Sequence, residues 1–328
     1  YHDGSGVTQD YTEAMKWYKL AAEQGYATAQ NAIGLLYHDG SGVTQDYTEA
    51  MKWYKKAADQ GDATAQNNIG VLYYDGSGVT QDYTEALIWY KKAADQEYAT
   101  AQTNISLLYE LGDGVTQDYK EAMKWYKLAA EQGYALAQFN LALMYSKGEG
   151  VTENKKTAAK WYTKAAEQGN AGAQINLALH YDNGEGVPEN KKTAVKWYTK
   201  AANQGDATAQ FNLALMYSKG EGVPENKKTA LKWYIKAAKQ GDAEAQKNTG
   251  SLYFNGEGAL EDYVTGYAWT IIAKANGADV QHVVNHAKSK MTPDQIAAGQ
   301  LLAKELFERL ENQDFEDPAD NPINVRLD

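Results

Sequence analysis

Eight tryptophans, Trp17, Trp53, Trp89, Trp125, Trp161, Trp197, Trp233 and Trp269, fall 36 residues apart, and they are all the tryptophan in this 328-residue chain. A fixed step in this range demands one small structural unit copied along the chain, each copy burying its apolar face on the next. The glycine pair of a G-x-G loop keeps the same step, from Gly4 and Gly6 through Gly40 and Gly42 to Gly256 and Gly258. No insertion breaks the register. One elongated array therefore replaces the two ordinary domains that length alone would allow.

Each unit reads as two helices. The first runs near Ala63 to Tyr73 and sets Ala65, Ile69, Leu72 and Tyr73 on one stripe. The second runs near Tyr47 to Gln60 and sets Ala50, Trp53, Tyr54 and Ala57 on another, both at the spacing of an amphipathic helix. Asp46 is an N-cap with Glu49 three residues on, Asn190 takes that part in later units, and Gly61 ends the second helix as a left-handed residue. A small residue at Gly34, Gly70, Ser106, Ala142, Ala178, Ala214 and Gly250 admits a close neighbouring helix. A single pair cannot bury its stripe alone, so the pairs must stack.

The order A-x-A-Q-x-N-[IL]-[GA]-x-L-Y, then G-x-G-V, then A-x-K-W-Y-x-K-A-A-x-Q-G resembles the Sel-1-like repeat, a relative of the tetratricopeptide repeat. The resemblance covers residues 1–277. It implies an all-α fold, a right-handed superhelical α/α solenoid of 36-residue helix-turn-helix units, and a non-enzymatic scaffold or adaptor for protein–protein interaction. Seven whole units begin at Tyr26, Asp62, Tyr98, Tyr134, Asn170, Asp206 and Asp242, so the array proper is 26–277, with 1–25 as a partial unit. The YHDGSGV that opens the chain recurs at Tyr37. The expectation is that the sequence starts inside a unit, with any targeting segment upstream, so that a cytoplasmic and an exported protein both remain open. Cysteine-paired members of this family exist. This chain has no cysteine, and what holds for that branch is not carried over.

Units up to Gly133 carry GVTQDY before the second helix, whereas later ones carry GVTENKKTA or GVPENKKTA. FNLALMYSKGEGV at Phe139 returns at Phe211, pointing to duplication in pairs. Glu97 stands where the other units have the helix-ending glycine. A side chain there costs about 1 kcal/mol or bends the junction. After Gly277, residues 278–312 are expected to form capping helices, with Thr292, Pro293 and Gln295 as N-cap, first helical residue and capping-box partner, and with Ile296, Ala303, Phe307 and Leu310 on one face. The acidic tail 313–328 is expected to be extended or disordered.

Composition closes several functional classes. With 43% hydrophobic residues the chain buries a core, and its net charge of −11 argues against nucleic acid and anionic lipid. The absence of cysteine removes disulfides and thiolate chemistry. No apolar run is long enough for membrane insertion. His282 and His286 share a helical face at a spacing that suits zinc, but lack a following Glu and a third ligand. The DGSG loops at Asp3, Asp39 and Asp75 lack the alternating acids of a calcium loop. No catalytic, metal or cofactor site is expected. A carbohydrate reading of the 25 tyrosines and eight tryptophans competes with simple core packing at helical spacing. The alternative to a scaffold is a ligand-binding or enzymatic module acting on cell-wall or polysaccharide material.

The resemblance implies that the first helices line a concave groove, through positions 2, 5, 6, 9 and 12 counted from the alanine that opens each. Position 6 is Asn68, Asn104, Asn140, Asn176, Asn212 and Asn248, a ladder suited either to the backbone of an extended peptide or to bonds with neighbouring helices. Position 5 changes from Asn31, Asn67 and Thr103 to Phe139, Ile175 and Phe211, then to Lys247. With Leu143, Leu179 and Leu215 at position 9, these make an apolar stripe, read either as a contact site for a protein or peptide or as packing between helices. Apolar surface around Trp17 adds the expectation of end-to-end self-association through the partial unit.

Overall fold

The computed structural model describes residues 10–312; Asp3, Gly4, Gly6 and the tail 313–328 lie outside them. Among the described residues there are seventeen α-helices and no strand. The chain divides into two compact units, Tyr1–Asn170 and Ala171–Asp328. The first holds α1 (Tyr11–Glu23), α2 (Ala27–Asp39), α3 (Tyr47–Ala58), α4 (Ala63–Asp75), α5 (Tyr83–Ala94), α6 (Ala99–Leu111), α7 (Tyr119–Glu131), α8 (Ala135–Lys147) and α9 (Lys155–Glu167). The second holds α10 (Ala171–Asn183), α11 (Lys191–Asn203), α12 (Ala207–Lys219), α13 (Lys227–Lys239), α14 (Ala243–Asn255), α15 (Tyr263–Ala275), α16 (Gln281–Lys290) and α17 (Pro293–Asn312). Within the first unit, and from α10 to α15 in the second, each helix packs on its successor; α16 and α17 both pack on α15.

Local chemistry sets the helix ends. Asp46 accepts from the amides of Thr48 and Glu49 at 2.9 and 3.0 Å, and Asn190 accepts from Thr193 at 2.9 Å. Each thereby satisfies amides that the first turn leaves orphaned. Glu49 does not fold back to complete a capping box; it pairs with Lys52. Gly61 takes φ 91° and bonds back to Ala58 O at 2.9 Å, closing α3. Thr292 and Gln295 form the reciprocal box, with Thr292 N donating to Gln295 Oε1 and Gln295 N to Thr292 Oγ1 at 2.9 and 3.3 Å.

The core follows the two stripes with one shift. Ala50, Tyr54 and Ala57 of α3 are buried with Ala65, Ile69 and Leu72 of α4. Trp53, Trp89, Trp125 and Trp161 are only half-buried. Tyr54, Tyr90, Tyr126 and Tyr162, beside these four, take the centre, and the i+3 lysine reaches the indole face in most repeats: Lys56 over Trp53 at 3.9 Å, Lys92 over Trp89 at 3.7 Å; Trp197 and Trp269 are themselves buried. The small residue works as expected. A methyl on Gly70 would meet the Tyr90 ring at 2.6 Å, so α4 and α5 touch where only glycine fits.

Glutamine joins one repeat to the next. In the first unit Gln60, Gln96, Gln132 and Gln168 donate to the side-chain oxygens of Gln30, Gln66, Gln102 and Gln138, at 2.7–2.9 Å. In the second, Gln204, Gln240 and Asn276 do the same to Gln174, Gln210 and Gln246, at 2.7–3.0 Å. The buried acceptor also reaches back in most pairs, as Gln138 Nε2 does to Ala130 O at 3.0 Å. Most of these buried glutamines thus use both ends of the amide, as a buried amide requires.

Candidate binding surface

The asparagine ladder is drawn into the protein's own bonding. Asn68 Nδ2 donates to Asn31 Oδ1 at 3.0 Å and Asn104 Nδ2 to Asn67 Oδ1 at 2.9 Å, each linking successive first helices. Once position 5 ceases to be asparagine, that partner is gone. Asn140 and Asn248 then reach the hydroxyls of Tyr126 and Tyr234, and Asn176 Nδ2 donates to Gly172 O of its own helix at 2.8 Å. Asn212 is half-buried on α12.

Those tyrosines are protonated anchors. Burial is the first cause that pushes Tyr234 up to about 12, with Asn248 and Ser218 opposing it. Tyr126 is raised by burial and by Glu110, which accepts its hydroxyl at 2.7 Å. At neutral pH each phenol therefore acts as a neutral donor and acceptor at the junction of a first and a second helix.

The apolar positions behave differently from the core. Phe139 and Leu143 on α8, in the first unit, are half-buried, as are Ile175 and Leu179 on α10 and Phe211 and Leu215 on α12, in the second. Phe139 leans on Tyr162 with centroids 6.1 Å apart, and Phe211 on Tyr234 at 5.7 Å. Each ring thus has one packed side and one that solvent reaches. In the earlier repeats position 5 is buried and polar: Asn31, Asn67 and Thr103.

Other sequence candidates stay apart. His282 and His286 are exposed on α16. Among the described residues no three His, Cys, Asp or Glu side chains gather as a metal-binding group, and no helix is long and apolar enough to cross a membrane. Sequence reasoning missed the glutamine joints, although their signal is present: Gln in A-x-A-Q and Gln in A-A-x-Q-G lie 30 residues apart.

Helix pairs repeating every 36 residues, joined at successive seams by amide–amide bonds, define an α/α helical-repeat array. The Sel1 repeat model matches residues 1–26, 27–62, 63–98, 99–134, 135–170, 171–206, 207–242 and 243–277, and the chain belongs to the Sel1 repeat family. A Sel1 repeat protein from Oxalobacter formigenes is 34% identical, with a TM-score of 0.66 over 85% of this chain and 80% of that one. A protective antigen of uropathogenic Escherichia coli strains, c5321, which displays an SLR fold, is 32% identical over 98% of this chain and 87% of its own, with a TM-score of 0.45. No curated protein matches the chain. Sel1 repeat proteins are generally protein-interaction scaffolds and typically not enzymes.

Proposed function

We propose that this chain is an adaptor whose first helices, within each unit, take an extended peptide or a helix of a partner protein. One observation carries the reading: the apolar side chains at positions 5 and 9, led by Phe139 and Phe211, remain half-exposed while neighbouring core positions are closed. Half-covered aromatic and aliphatic groups are the usual anchors of a protein contact. Asn212 flanks Phe211 and supplies an amide to orient a main chain. The test is a pull-down from lysate and envelope fractions with the wild-type array and a Phe139→Ala/Phe211→Ala variant of unchanged helical circular dichroism. A partner kept by the first and lost by the second supports the adaptor. Equal retention removes these two residues from the contact, and a glycan bound in place of any protein replaces the reading with the polysaccharide one.

A second contact is favoured by Trp17, Leu20 and Tyr26, which are 58%, 51% and 60% exposed near α1. Large apolar groups this open support association of two copies through that end. Sedimentation velocity of a Trp17→Ser/Leu20→Ser variant, compared with wild type across concentration, is expected to show loss of the larger species; identical profiles reject the association.

A further inference from the structure

One buried phenol lacks the partners that its counterparts keep. Tyr198 of α11 is 1% exposed, and its hydroxyl has no hydrogen-bond partner among the described residues. The equivalent tyrosines of α7, α9 and α13 are engaged. Tyr126 donates to Glu110 at 2.7 Å and meets Asn140; Tyr162 meets Ser146; Tyr234 meets Ser218 and Asn248. Tyr126 and Tyr234 thus bond to position 12 of the preceding first helix and to position 6 of the following one. For Tyr198 those two positions are Asp182 on α10 and Asn212 on α12.

One change of residue accounts for the loss. Where α8 and α12 carry Ser146 and Ser218, α10 carries Asp182. A serine hydroxyl can accept from the lysine that opens the next helix and still meet the phenol. Lys155 reaches Ser146 and Lys227 reaches Ser218 in this way, both at 3.3 Å. Asp182 instead pairs with Lys191 at 2.7 Å, a charge-assisted bond that outcompetes a phenol. Asn212 is half-buried and does not replace the missing partner. A buried hydroxyl in this state has given up water and gained nothing for it. Breaks of this kind in an otherwise consistent fold concentrate at sites of function.

We propose that Tyr198, Asn212 and Asp182 form a recognition site for a carboxamide, the side chain of an Asn or Gln in the partner's segment. This rests on the peptide-binding reading above and names the residue that the first helices of the second unit select. The Asn212 side chain, held by no bond to Tyr198, turns aside to open the way to the phenol. The carboxamide oxygen then accepts from the Tyr198 hydroxyl. Its NH2 group donates to Asn212 Oδ1 and to the Asp182 carboxylate, whose lone pairs exceed what Lys191 uses. Ile175 on α10 and Phe211 on α12, both half-buried, offer apolar contact to the methylenes beside the amide. Other chemistries match less well. A carboxylate or phosphate would be repelled by Asp182, an ammonium would compete with Lys191 for it, and an apolar side chain would leave the phenol unbonded.

The test uses the full chain and labelled peptides that alternate leucine with one variable residue, read by fluorescence anisotropy. The variable residue is Gln, norleucine or Ser. Wild type is expected to bind the Gln peptide about tenfold more tightly than the norleucine one. Tyr198→Phe should abolish that preference, and so should Asp182→Ser, which supplies the serine of the neighbouring repeats. Tyr198→Phe should also leave the urea midpoint unchanged or higher, whereas Tyr234→Phe, which removes a bonded hydroxyl, should lower it. Equal binding of the Gln and norleucine peptides overturns the carboxamide site and leaves the peptide-binding reading standing. A Gln preference that survives Tyr198→Phe, or tighter binding of the Ser peptide, overturns it as well. So does a urea midpoint lowered as far by Tyr198→Phe as by Tyr234→Phe, since that hydroxyl would then already be satisfied within the fold. Failure of all three peptides to bind removes the peptide-binding reading and this site with it.

Discussion

Glu97 takes φ 61°, the one positive value outside glycine among the described residues. Its counterparts in other repeats, such as Gly61 at φ 91°, have no atom within 4 Å of where a Cβ would lie. Space is therefore not the difficulty at residue 97; the penalty comes from the backbone alone. Glu97→Gly should raise unfolding free energy by about 1 kcal/mol, measured by urea denaturation. Gly78 presents the opposite case. A Cβ there would stand 2.6 Å from Tyr47 Cβ and 2.9 Å from the Tyr47 carbonyl carbon. Gly78→Ala is thus expected to cost clearly more than Gly61→Ala in the same denaturation experiment, since it adds a clash to the φ strain. If the two cost the same, the loop does not rest on the start of α3 as described.

At the scale of the helix, the sequence reveals what repeats with the helical period and hides what depends on how neighbouring helices meet. Caps at Asp46 and Asn190 and the Thr292–Gln295 box are local, and local spacing announces them. The rim position of Trp53 is not, because helical spacing alone cannot say whether Trp53 or Tyr54 points to the middle of the stripe. Asn68 and Asn104 are likewise spoken for by residues 37 positions away, a partnership visible only once successive first helices are side by side. The glutamine joints were hidden by their chemistry, since a buried amide looks out of place beside Ala65 and Ile69. Their strength is testable. Gln66 accepts from Gln96 at 2.8 Å and is buried, so Gln66→Ala should cost about 1–3 kcal/mol. Gln96→Ala, on an exposed residue, should cost less. Thermal unfolding of the two variants decides whether the pair acts as a buried bond or only as a surface contact.

Across the molecule, the second helices place a buried phenol in repeat after repeat. Burial raises Tyr54, Tyr90, Tyr126 and Tyr198, and pushes Tyr162 and Tyr234 up to about 12. A phenol whose folded pKa is raised binds its proton more tightly in the native state. Its contribution is whole below the ordinary value of about 10 and is lost as pH rises through the folded one. The chain should keep its helical circular dichroism up to about pH 10 and unfold between there and about pH 12, with late tyrosinate absorbance rising in the same step. Absorbance complete well before helix loss would show these hydroxyls to be open. The glutamine joint has a consequence of another kind. Each of its links spans 30 residues, and repeats of 36 residues follow one another without interruption. Removing or copying one whole repeat rejoins a Gln donor to a Gln acceptor, whereas any other change of length strands both. Copy number is therefore free to drift over generations while phase is held fixed, so lineages can lengthen or shorten the array without reinventing the seam.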